Sequence, residues 1–368
     1  MVSYENESAR FLGYNASLIG KLTEYQKAML TKLTFHEIHS LGSSTDKERV
    51  TIPLPFEIIE GVTVENVSSW LTDETLEWVS KFIGIYQTEA LKNVRFAVVH
   101  SYPADSSVRG TSEEVESEKL VRNIVELMHI IRPMRQNTSI VRGECSEDRG
   151  FRVVHLDSPN QLEVPEVQKL NHVRDKDLHF LKLLAPVFIQ AMQSDALKFR
   201  SSVFYHSVGR SVEQGNARYL LWCSAIEALY TSHDFDHQGK LVATERIKWF
   251  LGSKTQIYEP GDIPDFIANQ PTITIADVVS KLYDVRNYIA HGDTIPKEYF
   301  VTAMREGIAG DVATIEVLSE AASFIVRQSL LRILRDGLLN HFKEAATAEA
   351  YFCQHGLTKT MLTKARKP

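Results

Sequence analysis

The segment Leu282-Tyr283-Asp284-Val285-Arg286-Asn287-Tyr288-Ile289-Ala290-His291-Gly292 carries three side chains that can act together on an anion. Arg286 can hold a phosphate through a planar pair of donors. His291 is the residue type that titrates near neutrality, so it can give or take a proton. Asn287 can orient an imidazole or donate to a phosphate oxygen. Placed on a helix at about 100° per residue, Val278, Leu282, Val285 and Ile289 make an apolar stripe. Asp284, Asn287 and His291 fall on the opposite side, with Asn287 and His291 one turn apart. Arg286 flanks them, and its long side chain can swing to that face. Gly292 stops the helix and leaves His291 as its last residue.

Context must decide the weight of this pattern, because Arg-x4-His occurs three times, at Arg95/His100, Arg174/His179 and Arg286/His291. Arg95 and His100 lie in a strand, where residues five apart point to opposite faces. Arg174 and His179 belong to a charged helix start, Arg174-Asp175-Lys176-Asp177, expected to be a solvated first turn. Other candidates are weaker. His36-Glu37-Ile38-His39 reads as two histidines three apart on a helix, but no third metal ligand is evident. Ser232-His233-Asp234-Phe235-Asp236-His237 reads as a solvated loop, and Cys353-Gln354-His355 as a surface turn. Arg132 and Arg135 are expected on the surface. No Walker A motif, dinucleotide fingerprint or nucleophile elbow occurs.

The elements that must position Arg286 and His291 divide the chain in two. The first part, 1–173, mixes strands and helices. Strands are expected over 49–56, 94–100 and 150–156, and helices from Thr72 or Asp73 to Ile83 and from Glu113 to Ile131, where Pro133 ends the second. Ser106 to Thr111 is a polar loop. From about residue 174 long helices take over: 177–192, 196–212, 216–232, 241–251, 277–290 and one long helix over 311–342. The helix containing Arg218 to Tyr230 is apolar almost all round, so it is expected at the centre of a bundle. Glu227 within it needs a partner if buried, and an arginine or a backbone group is a better expectation than a role as base. The fold class expected is therefore an α+β N-terminal domain over 1–173, an all-α helical bundle over 174–346, and a partly flexible C-terminal extension over 347–368.

The Leu282–Gly292 string resembles the signature helix of HEPN domains. The helix ending Ile226-Glu227-Ala228-Leu229-Tyr230 is similar to the matching helix of abortive-infection-type HEPN proteins, and the order of helices agrees over about 175–345. The resemblance implies a helical bundle that pairs two-fold, so that two copies of the motif meet in one cleft and cut RNA without metal. Carried over by motif position, Arg286 and His291 are the catalytic pair. Asn287, Asp284, Glu227 and Tyr288 are the supporting residues. In HEPN toxins that are AMPylated, a tyrosine stands two residues after the histidine; here that position is Asp293, so this control is not expected. RNA supplies its own nucleophile, the 2′-OH, and needs a base, charge stabilisation and an acid for the leaving 5′ oxygen. The alternative is a non-catalytic nucleotide- or RNA-binding module serving as scaffold or regulator.

Composition narrows the partners. The chain has 368 residues, 43% hydrophobic and 24% charged, with three cysteines far apart. These are globular values with no disulfide framework, and a reduced, cytoplasmic setting is expected. No cofactor, metal or membrane span is expected. The net charge of −6 is uneven: residues 1–173 hold 18 Lys/Arg against 25 Asp/Glu, and the remainder 23 against 22. RNA contact is therefore expected at a local site in the second half, with a homodimer as the working unit. The acidic N-terminal half is expected to receive a trigger or inhibitor of a defence or toxin effector.

Overall fold

The computed structural model describes residues 34–40, 53–66, 72–83, 96–103, 112–132, 140–146, 150–157, 173–212, 214–232, 239–257, 273–300 and 310–365. The architecture is an N-terminal antiparallel sheet followed by a long series of helices, an α+β part and an all-α bundle. Two compact units result: one gathers 1–45, 52–125 and 137–159, the other 46–51, 126–136 and 160–368. The loops expected at 106–111 and 233–237 and the residue Arg135 lie outside the described residues.

The sheet has six strands in the order β2-β3-β4-β1-β5-β6: β1 Thr34–Ser40, β2 Phe56–Ile59, β3 Val62–Asn66, β4 Phe96–Pro103, β5 Ile140–Ser146 and β6 Gly150–Asp157. Among the described residues two helices belong to this stretch, α1 (Asp73–Ile83) and α2 (Ser112–Ile131). The strands expected at 94–100 and 150–156 are β4 and β6. Two expectations fail. His36-Glu37-Ile38-His39 is not helical; it is β1, paired on both sides with β4 and β5. Its backbone groups are consumed by two neighbouring strands, so the helical spacing of the two histidines does not apply. Of the strand expected over 49–56, residues 49–52 lie outside the described residues, 53–55 is irregular and β2 starts at Phe56, because Pro53 and Pro55 have no N–H to donate to a ladder. Val62 and Val64 alternate inward in β3, with 0% and 1% exposure. His100 of the first decoy motif is a structural residue, its Nδ1 2.7 Å from the hydroxyl of Ser117 on α2.

The bundle comprises α3 (Asp175–Gln193), α4 (Leu197–Arg210), α5 (Gly215–Tyr230), α6 (Gly239–Leu251), α7 (Ile275–His291), α8 (Gly310–Arg335), α9 (Ala345–Gln354) and α10 (Lys359–Ala365). As the all-round apolar sequence requires, α5 is central and packs against α4, α6, α7 and α8. Pro186 lies within α3, which continues past it. The long helix expected over 311–342 instead ends at Arg335. Gly337 takes a left-handed φ of +67°, and the amide of Leu338 donates to the carbonyl of Ile333 at 2.9 Å, so the last carbonyls are capped and the chain turns. A short 3-10 turn, Leu339–Phe342, follows.

Two buried polar anchors were not visible beforehand. Arg246 on α6, 1% exposed, donates to the carbonyls of Tyr230 (3.0 Å) and Leu357 (3.0 Å) and to Glu349 (2.7 Å), while its guanidinium lies 4.5 Å above the Phe352 ring. It ties α9 and the residues beyond it to the end of α5. The second anchor uses the last turns of α2. Glu126 pairs with Arg210 of α4, and His206 Nδ1 lies 3.8 Å from the other Glu126 oxygen. Arg132 is buried, not on the surface, because Asp177 at the start of α3 stands 3.7 Å away. That aspartate also closes the first turn of α3, accepting from the amide and Nε of Arg174, so the second decoy motif is partly a buried cap and not a wholly solvated turn.

Candidate functional site

Helix α7 is defined at both ends by local chemistry. At the N-terminus the Asp277 carboxylate accepts from the amide and the hydroxyl of Thr274, at 2.8 and 2.6 Å, and these bonds hold its pKa below the usual carboxylate range. At the C-terminus Gly292 adopts φ +74°. The amides of Gly292 and Asp293 donate to the carbonyls of Ile289 and Tyr288, so the helix stops immediately after His291. The apolar stripe faces inward: Val278, Leu282 and Val285 are buried. The phenol of Tyr219 on α5 donates to the Leu282 carbonyl at 2.5 Å, and this fixes α7 against the central helix.

On this scaffold the polar residues separate into two groups. The Arg286 guanidinium lies 3.4 Å from the Glu227 carboxylate of α5 and donates to the Asn287 amide oxygen at 3.1 Å. Glu227 is part-exposed, so the burial on which its need for a partner was conditioned does not apply, but an arginine stands beside it all the same. Arg286 and Glu227 remain part-exposed, at 35% and 29%. Below them Cys223 is buried, and burial pushes its thiol up to about 12, so it is an inert packing residue.

The second group lies around Asp284. Both carboxylate oxygens of Asp284 contact the Lys240 ammonium of α6, at 2.5 and 2.6 Å. Tyr288, one turn further along α7, places its ring 5.7 Å from that of Tyr299 at an angle of 59°. Desolvation and the neighbouring Asp284 carboxylate push the Tyr299 phenol above its ordinary value. Lys240 and Tyr299 were not anticipated. They lie 44 residues before Asp284 and on the short 3-10 turn Lys297–Tyr299, and no spacing rule links them to α7.

His291 is exposed at the end of α7. It shares the Asn287 face, as the helical spacing requires. Arg286 leaves the helix about 140° away from His291, five residues along, and its guanidinium is shared between the Glu227 carboxylate and the Asn287 amide oxygen. Within one chain the arginine and histidine therefore diverge. The chemistry on offer is an oriented guanidinium, an amide beside it and an accessible imidazole, three groups suited to holding a phosphate and moving a proton.

Among the described residues no group of three His, Cys, Asp or Glu side chains can hold a metal ion, and no described helix is long and apolar enough to cross a membrane. No family model, curated protein or solved structure matches this chain.

Proposed function

We propose that this protein is a HEPN-type endoribonuclease that cuts RNA by activating its 2′-OH, at a site built from Arg286 and His291 of two paired chains. The observation that carries the reading is the end of α7: an arginine oriented by Glu227 and Asn287, and an exposed histidine set at the last helical position by Gly292. Arg286 holds the phosphate and stabilises the phosphorane. His291 transfers a proton, either from the 2′-OH or to the leaving 5′ oxygen. One imidazole can do only one of these jobs at a time, so a second copy supplies the other. Metal independence follows from the same division of labour. The protein then acts in the cytoplasm as a defence or toxin effector, and its acidic N-terminal half receives the trigger or inhibitor.

The divergence of Arg286 from His291 within one chain favours a second reading, an RNA- or nucleotide-binding module that does not cut. Cleavage in the presence of EDTA decides between them. The ribonuclease reading expects products with 2′,3′-cyclic phosphate and 5′-hydroxyl ends. It also expects a loss of roughly 10²-fold or more in His291→Ala, while His100→Ala and His179→Ala keep their activity. Cleavage that persists in His291→Ala, or stops on chelation, refutes it.

A further inference from the structure

The Asp284 cluster has a basic and two aromatic members that the cleavage chemistry does not use. The Lys240 ammonium is 41% exposed and its carboxylate partner 25% exposed, and both Asp284 oxygens are committed to it. On α7, Asp284, Asn287, Tyr288 and His291 lie within an arc of roughly 100°. The cluster and His291 thus share one helix face, and Lys240 stands at the Asp284 end of it. Tyr288 and Tyr299 lie beside Asp284, both part-exposed, with their rings inclined at 59°.

We propose that Lys240, Tyr288 and Tyr299 form the subsite for the nucleotide flanking the scissile phosphate, and that Asp284 occupies Lys240 until an RNA phosphate displaces it. The proposal rests on the RNA-cutting reading of Arg286 and His291. A partly exposed ion pair has a small net worth, because solvent screens it and two side chains must be held still. A polyanionic strand competes well for such a lysine, since each phosphate it places there releases counterions. The part-exposed tyrosine rings then stack a base without demanding its identity. Asp284 is the opposing charge: it keeps Lys240 in place in the free protein and repels the backbone that replaces it.

This arrangement gives the two partners of one ion pair opposite effects. Binding is measured on the full chain by fluorescence anisotropy, with a mixed-sequence 2′-O-methyl RNA oligonucleotide that lacks the nucleophile, over a series of salt concentrations. Lys240→Ala and Lys240→Gln are expected to weaken binding and to lower the salt slope by about 0.7, the value for one phosphate contact on a single strand. Asp284→Asn is expected to tighten binding. Tyr299→Ala is expected to weaken it by roughly 5- to 100-fold, and Tyr299→Phe, which keeps the stacking ring, to weaken it much less than Tyr299→Ala does. Melting temperatures taken on the same samples separate these effects from folding. If the Lys240 and Asp284 variants move binding in the same direction, or neither moves it, the subsite is overturned. The reading it rests on has its own marker, His291-dependent cleavage of unmodified RNA. If that cleavage holds while the variants are silent, only the subsite falls; if the wild type neither binds nor cuts, both fall.

Discussion

Glu227 and Arg286 meet across α5 and α7 at 3.4 Å, with both side chains about one-third exposed. A pair so placed contributes little to stability, within about 1 kcal/mol. Its consequence is directional: the carboxylate aims a guanidinium that would otherwise sample several rotamers. Glu227→Ala is therefore expected to lower RNA cleavage by about tenfold, through lost positioning, while the melting temperature barely changes. A collapse of the fold in Glu227→Ala would identify the pair as structural.

The angle of about 140° between Arg286 and His291 on one helix leads to a second prediction. If each cleft is completed by a partner chain, Arg286→Ala and His291→Ala are each inactive as homodimers. Mixed and allowed to exchange, they form heterodimers that retain one arginine and one histidine in the cleft. Activity above either parent alone but well below wild type is the expected result in a co-refolded or co-expressed mixture, because the single remaining imidazole lacks the second copy that performs the other proton transfer. No recovery, together with a monomer by light scattering at micromolar concentration, counts against the shared cleft.

Much of the α7 geometry was legible because it is local. The apolar stripe through Val278, Leu282 and Val285 and the Gly292 stop lie within one helix, where the 3.6-residue period and C-cap chemistry operate, whereas the Thr274/Asp277 cap, which starts the helix at Ile275, was not read. The central position of α5 was legible for the same reason. What failed to show was long-range pairing. Arg246 finds Glu349 103 residues away, and Lys240 finds Asp284 44 residues away. Arg132 looked exposed beside Pro133, yet Asp177 draws it into the interior. Strand β1 was misread because His-Glu-Ile-His has no strong intrinsic preference, and its state is decided by β4 and β5 on either side. The break at Gly337 was readable in principle, since a glycine late in a helix pattern signals a C-cap.

The buried cluster of Glu126, His129, His206 and Arg210 makes stability depend on pH. Burial alone raises the Glu126 carboxyl, but Arg210 and then His206 override it and hold it down to about 2. Burial, helped by Arg210, lowers His206 to about 4 and pushes His129 well below its ordinary value. Both histidines are thus neutral when folded and take up protons more readily when unfolded. Their contribution is full above pH ~6.5 and is lost as pH falls from there towards 4. Glu126 adds a second loss as pH falls from about 4.5 towards 2, because its carboxylate is the form the fold holds. The two effects have the same sign. Denaturant unfolding should show stability falling between pH 6.5 and 4 by on the order of 3 kcal/mol from His206 alone, with His129 adding to the fall. His206→Gln should reduce that slope and leave the part that His129 contributes. A profile that is level across this window, or that rises towards acid, would contradict the neutral assignment.

The close approach of α4 to α5 depends on Gly209. A methyl group built there would stand 2.6 Å from Nε1 and 2.7 Å from Cδ1 of Trp222, inside the distance real Cβ atoms keep. The indole cannot step aside freely, because its Nε1 donates to the His206 carbonyl at 3.1 Å and the ring is only 8% exposed. Gly209→Ala must therefore either break that bond or move α5 outward, at a cost of roughly 1–3 kcal/mol for overpacking. This cost exceeds what alanine gains over glycine in a helix, about 1 kcal/mol at most. Because α5 carries Glu227, an outward shift also loosens the aim of Arg286, so cleavage should fall with stability. The pairing is tested by a double-mutant cycle. Trp222→Phe removes the nitrogen edge that meets the new methyl, so Gly209→Ala should cost at least about 0.5 kcal/mol less in that background than in the wild type. Strict additivity of the two substitutions in denaturant melts would show that the contact does not set the α4–α5 spacing.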